Sequence, residues 1–132
     1  MQREIDFYKM SGSGNDFILV DNRANLIEAA VAPELARKLC KRKVSVGADG
    51  LILIENDDEV DFCWRFFNAD GSSAEMCGNG GRCVARLANM LGICGPSLSF
   101  RTLAGVIKAE VLGSRVKLQM TVPHDLRLDI GL

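Results

Sequence analysis

The sequence predicts an α+β domain, a mainly antiparallel sheet with one buried helix. Three observations carry this. Apolar runs of strand length outnumber helical patterns. Most of these runs are separated by short turn signals. One longer segment near the middle places apolar residues at helical spacing.

The elements follow in order. Ile5 to Met10 reads as a strand, and Ser11-Gly12-Ser13-Gly14 as a tight connection. Phe17-Ile18-Leu19-Val20 is a buried strand. After the polar loop 21–25, Pro33 suits the first helical position and Glu34 the positive first turn. Leu35, Ala36, Leu39 and Cys40 continue at helical spacing, and the basic run Lys41-Arg42-Lys43 suits the helix end. Leu51 to Ile54 is a second apolar strand, Asn56 to Glu59 a turn, and Val60 to Phe67 a strand rich in aromatics. Ala69-Asp70-Gly71-Ser72 is a turn, because Asp and Gly tolerate left-handed backbone. The strongest helix then places Cys83, Val84, Leu87, Met90 and Leu91 on one face, with Asn79 to cap its start and Gly92 its end. Three strands close the chain, Ser97 to Thr102, Val106 to Leu112 and Arg115 to Val122. Ala104-Gly105 and Gly113-Ser114 turn between them.

Composition limits the function classes. The chain has 132 residues, with 16 Lys+Arg against 17 Asp+Glu. That length suits one domain, expected over residues 1–122, with 123–132 as the start of a further segment. Near-neutral charge lacks the basic footprint of a nucleic-acid binder. No apolar run reaches the ~18 residues of a membrane span, and the N-terminus lacks an apolar leader pattern. A cytoplasmic protein is therefore expected. Cys40, Cys63, Cys77, Cys83 and Cys94 are odd in number and irregular in spacing, unlike a disulfide framework. With one histidine, His124, and no Cys-x-x-Cys, a zinc site is not expected. Asp57, Asp58 and Asp61 lack the glycine and glutamate of a calcium loop.

The most informative stretch is Glu75-Met76-Cys77-Gly78-Asn79-Gly80-Gly81-Arg82-Cys83. It sets a thiol just ahead of a helix. A helix N-terminus favours a thiolate, glycines let a ligand approach the backbone, and unpaired first-turn N–H groups can hold a carboxylate. The alternative is a small buried Cys77 beside turn-forming glycines. Cys83 falls on the apolar helix face and reads as core, as do Cys40, Cys63 and Cys94. Asn15 and Asn68 sit at strand–turn junctions, where Asn serves turns and can equally reach a polar ligand. Gly12 to Phe17 is no dinucleotide fingerprint, because Phe17 takes the third glycine's place.

These segments together resemble the diaminopimelate epimerases. The match runs through Lys9-Met10 with Gly12-Ser13-Gly14-Asn15-Asp16-Phe17, then Gly47-Ala48-Asp49-Gly50 and Phe67-Asn68-Ala69-Asp70-Gly71-Ser72. It continues with Cys77-Gly78-Asn79-Gly80-Gly81-Arg82-Cys83 and, more weakly, Thr102-Leu103-Ala104-Gly105. The resemblance implies half of such an enzyme, its sheet wrapped around a buried central helix. It implies cofactor-independent conversion of LL- to meso-diaminopimelate by two thiols, in lysine and peptidoglycan precursor synthesis, with no metal. Cys77 carries over as one acid/base thiol. Gly78 and Asn79 carry over as backbone donors to the reacting carboxylate, and Asn15 and Asn68 as side-chain contacts to substrate. Arg82 carries over as a motif member with no assigned contact. Gly50 stands where some members have Gln, so no contact is expected there.

The family's second thiol lies in a later Cys-Gly-rich segment of a second domain. None of the other four cysteines has that setting, so an N-terminal half, inactive alone, is expected. Its expected partners are the small-molecule substrate and the missing C-terminal domain, with a second copy in a homodimer as a further option. The competing readings are an epimerase or racemase of another amino acid, and a non-catalytic carboxylate-binding or thiol-redox module.

Overall fold

A computed structural model of the chain describes residues 5–12, 14–41 and 48–120. Its elements are β1 (Tyr8–Gly12), β2 (Asn15–Asp21), α1 (Ala32–Leu39), β3 (Gly50–Glu55), β4 (Phe62–Asn68), α2 (Gly78–Met90), β5 (Ser97–Thr102), β6 (Gly105–Leu112) and β7 (Arg115–Met120). The α+β class holds. The strands form one seven-stranded sheet whose spatial order follows the sequence.

The sheet is mixed, with more antiparallel than parallel pairs. β2 runs parallel to β3, and β4 parallel to β5; the other four neighbouring pairs are antiparallel. The reason is the connections. α1 lies between β2 and β3, and α2 between β4 and β5. A helical crossover returns the chain to the same end of the sheet, so the next strand runs parallel. Short-turn reasoning holds only for the hairpin-linked strands.

Two apolar layers cover the two faces. Phe17, Leu19, Ile52, Ile54, Trp64 and Phe66 join Cys83, Val84 and Leu87 of α2 in one cluster. Ile18, Val20, Leu51, Leu53 and Phe67 join Ala32 and Ala36 of α1 in the other. Side chains alternate between faces along a strand. Strands β2 and β3 therefore need apolar residues at consecutive positions, which explains their unbroken runs. The stacked rings of Phe62 and Phe100, 5.1 Å apart, extend the first cluster where β4 meets β5.

The helix α2 packs on β1, β2, β3, β6 and β7. Small residues permit this. A Cβ on Gly80 would lie 3.2 Å from Ile52 Cδ1, and one on Gly81 3.0 Å from Leu118 Cδ1. The helix stops by backbone geometry. Gly92, at φ +76°, donates its N–H to Asn89 O, and Ile93 donates to Ala88 O. These two bonds make a Schellman motif, as the glycine predicted. Met90, expected on the buried face, is 65% exposed.

Other boundaries shift. The first strand starts at Tyr8 and runs through Gly12, later than expected, because it pairs with β2 up to Asn15. Pro33 is the second residue of α1, and that helix ends at Leu39, short of the basic run. The aromatic strand starts at Phe62. Residues 42–43, 121–122 and the expected segment 123–132 lie outside the described residues.

The loop after β2 is anchored by buried Asn22. Its Oδ1 accepts the Ile27 N–H at 2.8 Å, and its Nδ2 donates to Ile27 O at 2.9 Å and Glu55 Oε2 at 2.7 Å. These bonds satisfy a polar side chain that is 2% exposed.

Candidate active site

The start of α2 is built by Cys77. Its backbone is extended, with φ −145° and ψ 124°, and its carbonyl accepts the Gly81 N–H at 2.8 Å as the first helical bond. Cys77 is therefore the N-cap. No side chain caps this end. By helix geometry the N–H groups of Gly78, Asn79 and Gly80 have no intrahelical acceptor. Three such donors thus sit directly after a half-buried thiol that packs against the core cluster with Met76.

Asn79 was expected to cap this helix and does not. It lies one residue inside the helix, and its side chain is used elsewhere. Its Nδ2 donates to Asn15 Oδ1 at 2.7 Å, and its Oδ1 accepts from the guanidinium of Arg82. Arg82 lies three residues on, the helical spacing that puts two side chains on one face. A Cβ on Gly78 would meet Arg82 Nη1 at 3.5 Å, so the guanidinium folds back over the first turn.

Asn15 opens β2, opposite Gly12 at the end of β1. The end of this hairpin lies on α2, since a Cβ on Gly12 would stand 3.4 Å from Cys83 Sγ and 3.5 Å from Asn79 O. The other side of Asn15 faces Asp49. Asn15 Nδ2 lies 3.5 Å from Asp49 Oδ2, the same oxygen that accepts the Asp16 N–H at 2.8 Å. The Asp49 N–H returns a bond to Asp16 O at 2.8 Å. Asp49 thereby fastens the approach to β3 onto the start of β2.

Asn68 ends β4 opposite Gly50, and Gly50 is itself paired with Phe17. Asn15 and Asn68 therefore lie at the same end of three adjacent strands. The side chain of Asn68 is exposed and serves a turn, its Nδ2 donating to Ser72 Oγ at 3.0 Å. Asp70 accepts from the same hydroxyl at 2.6 Å and from the Ser72 N–H at 2.9 Å, which holds its carboxyl below the usual range. Gly50 is a packing residue. A Cβ there would come within 2.7 Å of Phe66 Cε1 and 2.9 Å of Phe67 O.

The structure thus gathers Cys77, Gly78, Asn79 and Asn15, and sets Asn68 in a turn at the same sheet end. Sequence reasoning passed over Asp49 and gave Arg82 no contact. The i,i+3 spacing of Asn79 and Arg82 could have suggested their pairing. Nothing local links Asp49 to Asn15 across 34 residues.

The other thiols differ in character. Burial raises Cys83 above the ordinary thiol value, and burial likewise raises Cys63. Cys94 is pushed up to about 11, first by burial and then by the Asp61 carboxylate. Among the described residues, no three His, Cys, Asp or Glu side chains converge as a metal site. None of the described helices is long and apolar enough to cross a membrane. A groove of about 570 Å³ lies over β5, β6 and β7, lined by Leu98, Lys108 and Leu118 among others and not by Cys77. At the start of α2 Gly78 is exposed, Cys77 and Asn79 are half-buried and Gly80 is buried.

The chain is 51% identical over 129 residues to a diaminopimelate epimerase of Aquifex aeolicus (strain VF5), covering 90% of this chain and 46% of that protein. It is 48% identical over 133 residues to one of Hydrogenobaculum sp. (strain Y04AAS1), covering 94% and 48%. The chain thus spans about half the length of these curated relatives. Two solved structures share the fold at low identity. A probable proline racemase from Agrobacterium radiobacter K84 aligns with a TM-score of 0.69 and 18% identity, over 91% of this chain and 42% of that one. A hydroxyproline epimerase from Agrobacterium vitis aligns with 0.66 and 17%, over 90% and 42%. The sequence profile of the diaminopimelate epimerases matches residues 7–124, and the chain belongs to that family.

Proposed function

We propose that this chain is the N-terminal half of an enzyme that interconverts LL- and meso-diaminopimelate, with Cys77 as one of two acid/base thiols. The observation that carries the reading is the half-buried thiol of Cys77 at the N-cap of α2, followed by first-turn N–H groups that no side chain caps.

The chemistry follows from that placement. A thiolate removes the α-proton and becomes a thiol as the C–H bond breaks. The electron pair left behind spreads into the adjacent carboxylate. The N–H groups of Gly78 and Asn79 stabilise the charge where it develops, and the positive end of the helix adds to them. A thiol on the opposite face then gives its proton to the α-carbon, inverting the centre. Asn15 and Asn68 bind the remaining polar groups of the substrate. No cofactor is needed in this scheme. The second thiol belongs to the other half of the protein, so residues 1–132 alone give no turnover.

The test is an assay of the full-length protein on LL-diaminopimelate, with proline and hydroxyproline as competing substrates. Formation of meso-diaminopimelate, lost in Cys77→Ala, supports the reading. Turnover of another amino acid in place of diaminopimelate would assign a different substrate. Ligand binding without turnover would leave a carboxylate-binding module.

A further inference from the structure

The bond chain across the site has chemically distinct ends. At one end Asp49 is a carboxylate, which only accepts hydrogen bonds. At the other Arg82 is a guanidinium, which only donates. Between them lie two amides, each of which could face either way. The structure has Asn15 Nδ2 toward Asp49, Asn79 Nδ2 toward Asn15 Oδ1, and Asn79 Oδ1 toward Arg82. Turning either amide over would oppose two acceptors or two donors. The ends therefore fix the direction of both amides.

We propose that Asp49 and Arg82 are positioning residues that set the polarity of Asn15 and Asn79, so that Asn15 presents its second Nδ2 hydrogen to the ligand. The inference rests on the proposed epimerase reading for its ligand. The count of donors and acceptors supports it. Asn15 Oδ1 accepts from Asn79, and one Nδ2 hydrogen faces Asp49, which leaves the second Nδ2 hydrogen to offer. The ligand group that this hydrogen meets is an acceptor, such as a carboxylate oxygen.

Arg82 supports the same reading by its position. A cation beside a helix N-terminus is disfavoured by the helix dipole. The bond to Asn79 holds the guanidinium there, next to Gly78. An anion held by the first-turn N–H groups would offset that repulsion. The ligand's carboxylate then meets donors from the helix backbone and Asn15, with the charge of Arg82 close by.

The experiment uses the full-length protein and LL-diaminopimelate. Asp49→Asn keeps the shape of the side chain but lets that end of the chain donate. Arg82→Met removes the donor at the other end, and Arg82→Lys keeps one. KM should rise about 10-fold in Asp49→Asn and in Arg82→Met, with kcat within about 3-fold of wild type. Arg82→Lys should stay near wild type. In parallel, 1H–15N spectra should show one held and one open hydrogen on each of the Asn15 and Asn79 side-chain amides. That difference should collapse in Asp49→Asn and Arg82→Met. If Arg82→Met fails to fold, Arg82→Leu against Arg82→Lys makes the same comparison. An active wild type with unchanged KM and unchanged amide spectra in these variants would overturn the inference. A wild type inactive on diaminopimelate whose amide spectra still respond would overturn the epimerase reading and leave the polarity chain standing.

Discussion

Asn79 on α2 donates its side-chain amide to Oδ1 of Asn15 on β2 at 2.7 Å, across 64 residues of sequence. The bond ties the thiol-bearing end of the helix to the β1–β2 hairpin. Asn79→Ala keeps the backbone N–H but leaves Asn15 and Arg82 without this partner. It should lower stability by about 1–2 kcal/mol, read from the urea midpoint.

Gly81 sets how closely α2 lies on the sheet. A Cβ there would meet Leu118 Cδ1 at 3.0 Å and Met76 Cε at 3.1 Å. Both are the ends of side chains, so Gly81→Ala can be absorbed by small shifts. Gly81→Val cannot, and should cost about 1–3 kcal/mol by overpacking. Met76 precedes Cys77, so the valine variant should also change the reactivity of that thiol towards an alkylating reagent.

Thiol labelling should separate the described cysteines by environment. Burial holds Cys83, Cys63 and Cys94 above the ordinary thiol value and therefore protonated in neutral solution. The thiolate is the reactive form, so iodoacetamide at about pH 7.5 should modify Cys77 ahead of these three. Peptide mapping after brief exposure reads the order. Prior labelling of Cys63, Cys83 or Cys94 would contradict the description.

Asp57 ties the β3–β4 loop to β5. It accepts from Arg101 Nε at 2.8 Å and from the N–H groups of Glu59 and Val60, and its carboxyl falls from 3.8 to about 2, chiefly through Arg101. A depressed carboxyl contributes stability that is fully present above its unfolded value. That stability is lost as pH falls through the folded value. The contribution should therefore fade between about pH 4 and pH 2. Arg101→Leu should lose it at neutral pH and show a flatter stability profile over that window, measured by thermal unfolding at a series of pH values.

What the sequence disclosed and what it hid have physical causes. The apolar runs 17–20 and 51–54 marked β2 and β3, because a strand buried on both faces needs no polar alternation. Gly92 marked the end of α2, because left-handed backbone there suits glycine. The parallel pairings were hidden, since local turn signals do not say where a helical crossover returns. The role of Asn79 was hidden for a similar reason. A capping residue and a bonded first-turn residue look alike until Asn15 arrives from a distant hairpin. Cys77 was legible as a thiol ahead of a helix. Asp49, whose bonds run to Asp16 and Asn15, was not.

The most direct measurement is hydrogen exchange at the α-carbon of diaminopimelate. Full-length protein would be incubated with LL-diaminopimelate in deuterated water, and the α-deuterium content followed by NMR. The thiol at the start of α2 predicts that wild type incorporates deuterium as meso-diaminopimelate forms. Cys77→Ala should slow epimerisation by at least about 100-fold, the scale of a lost acid/base group. Epimerisation and deuterium incorporation at wild-type rates in Cys77→Ala would contradict it.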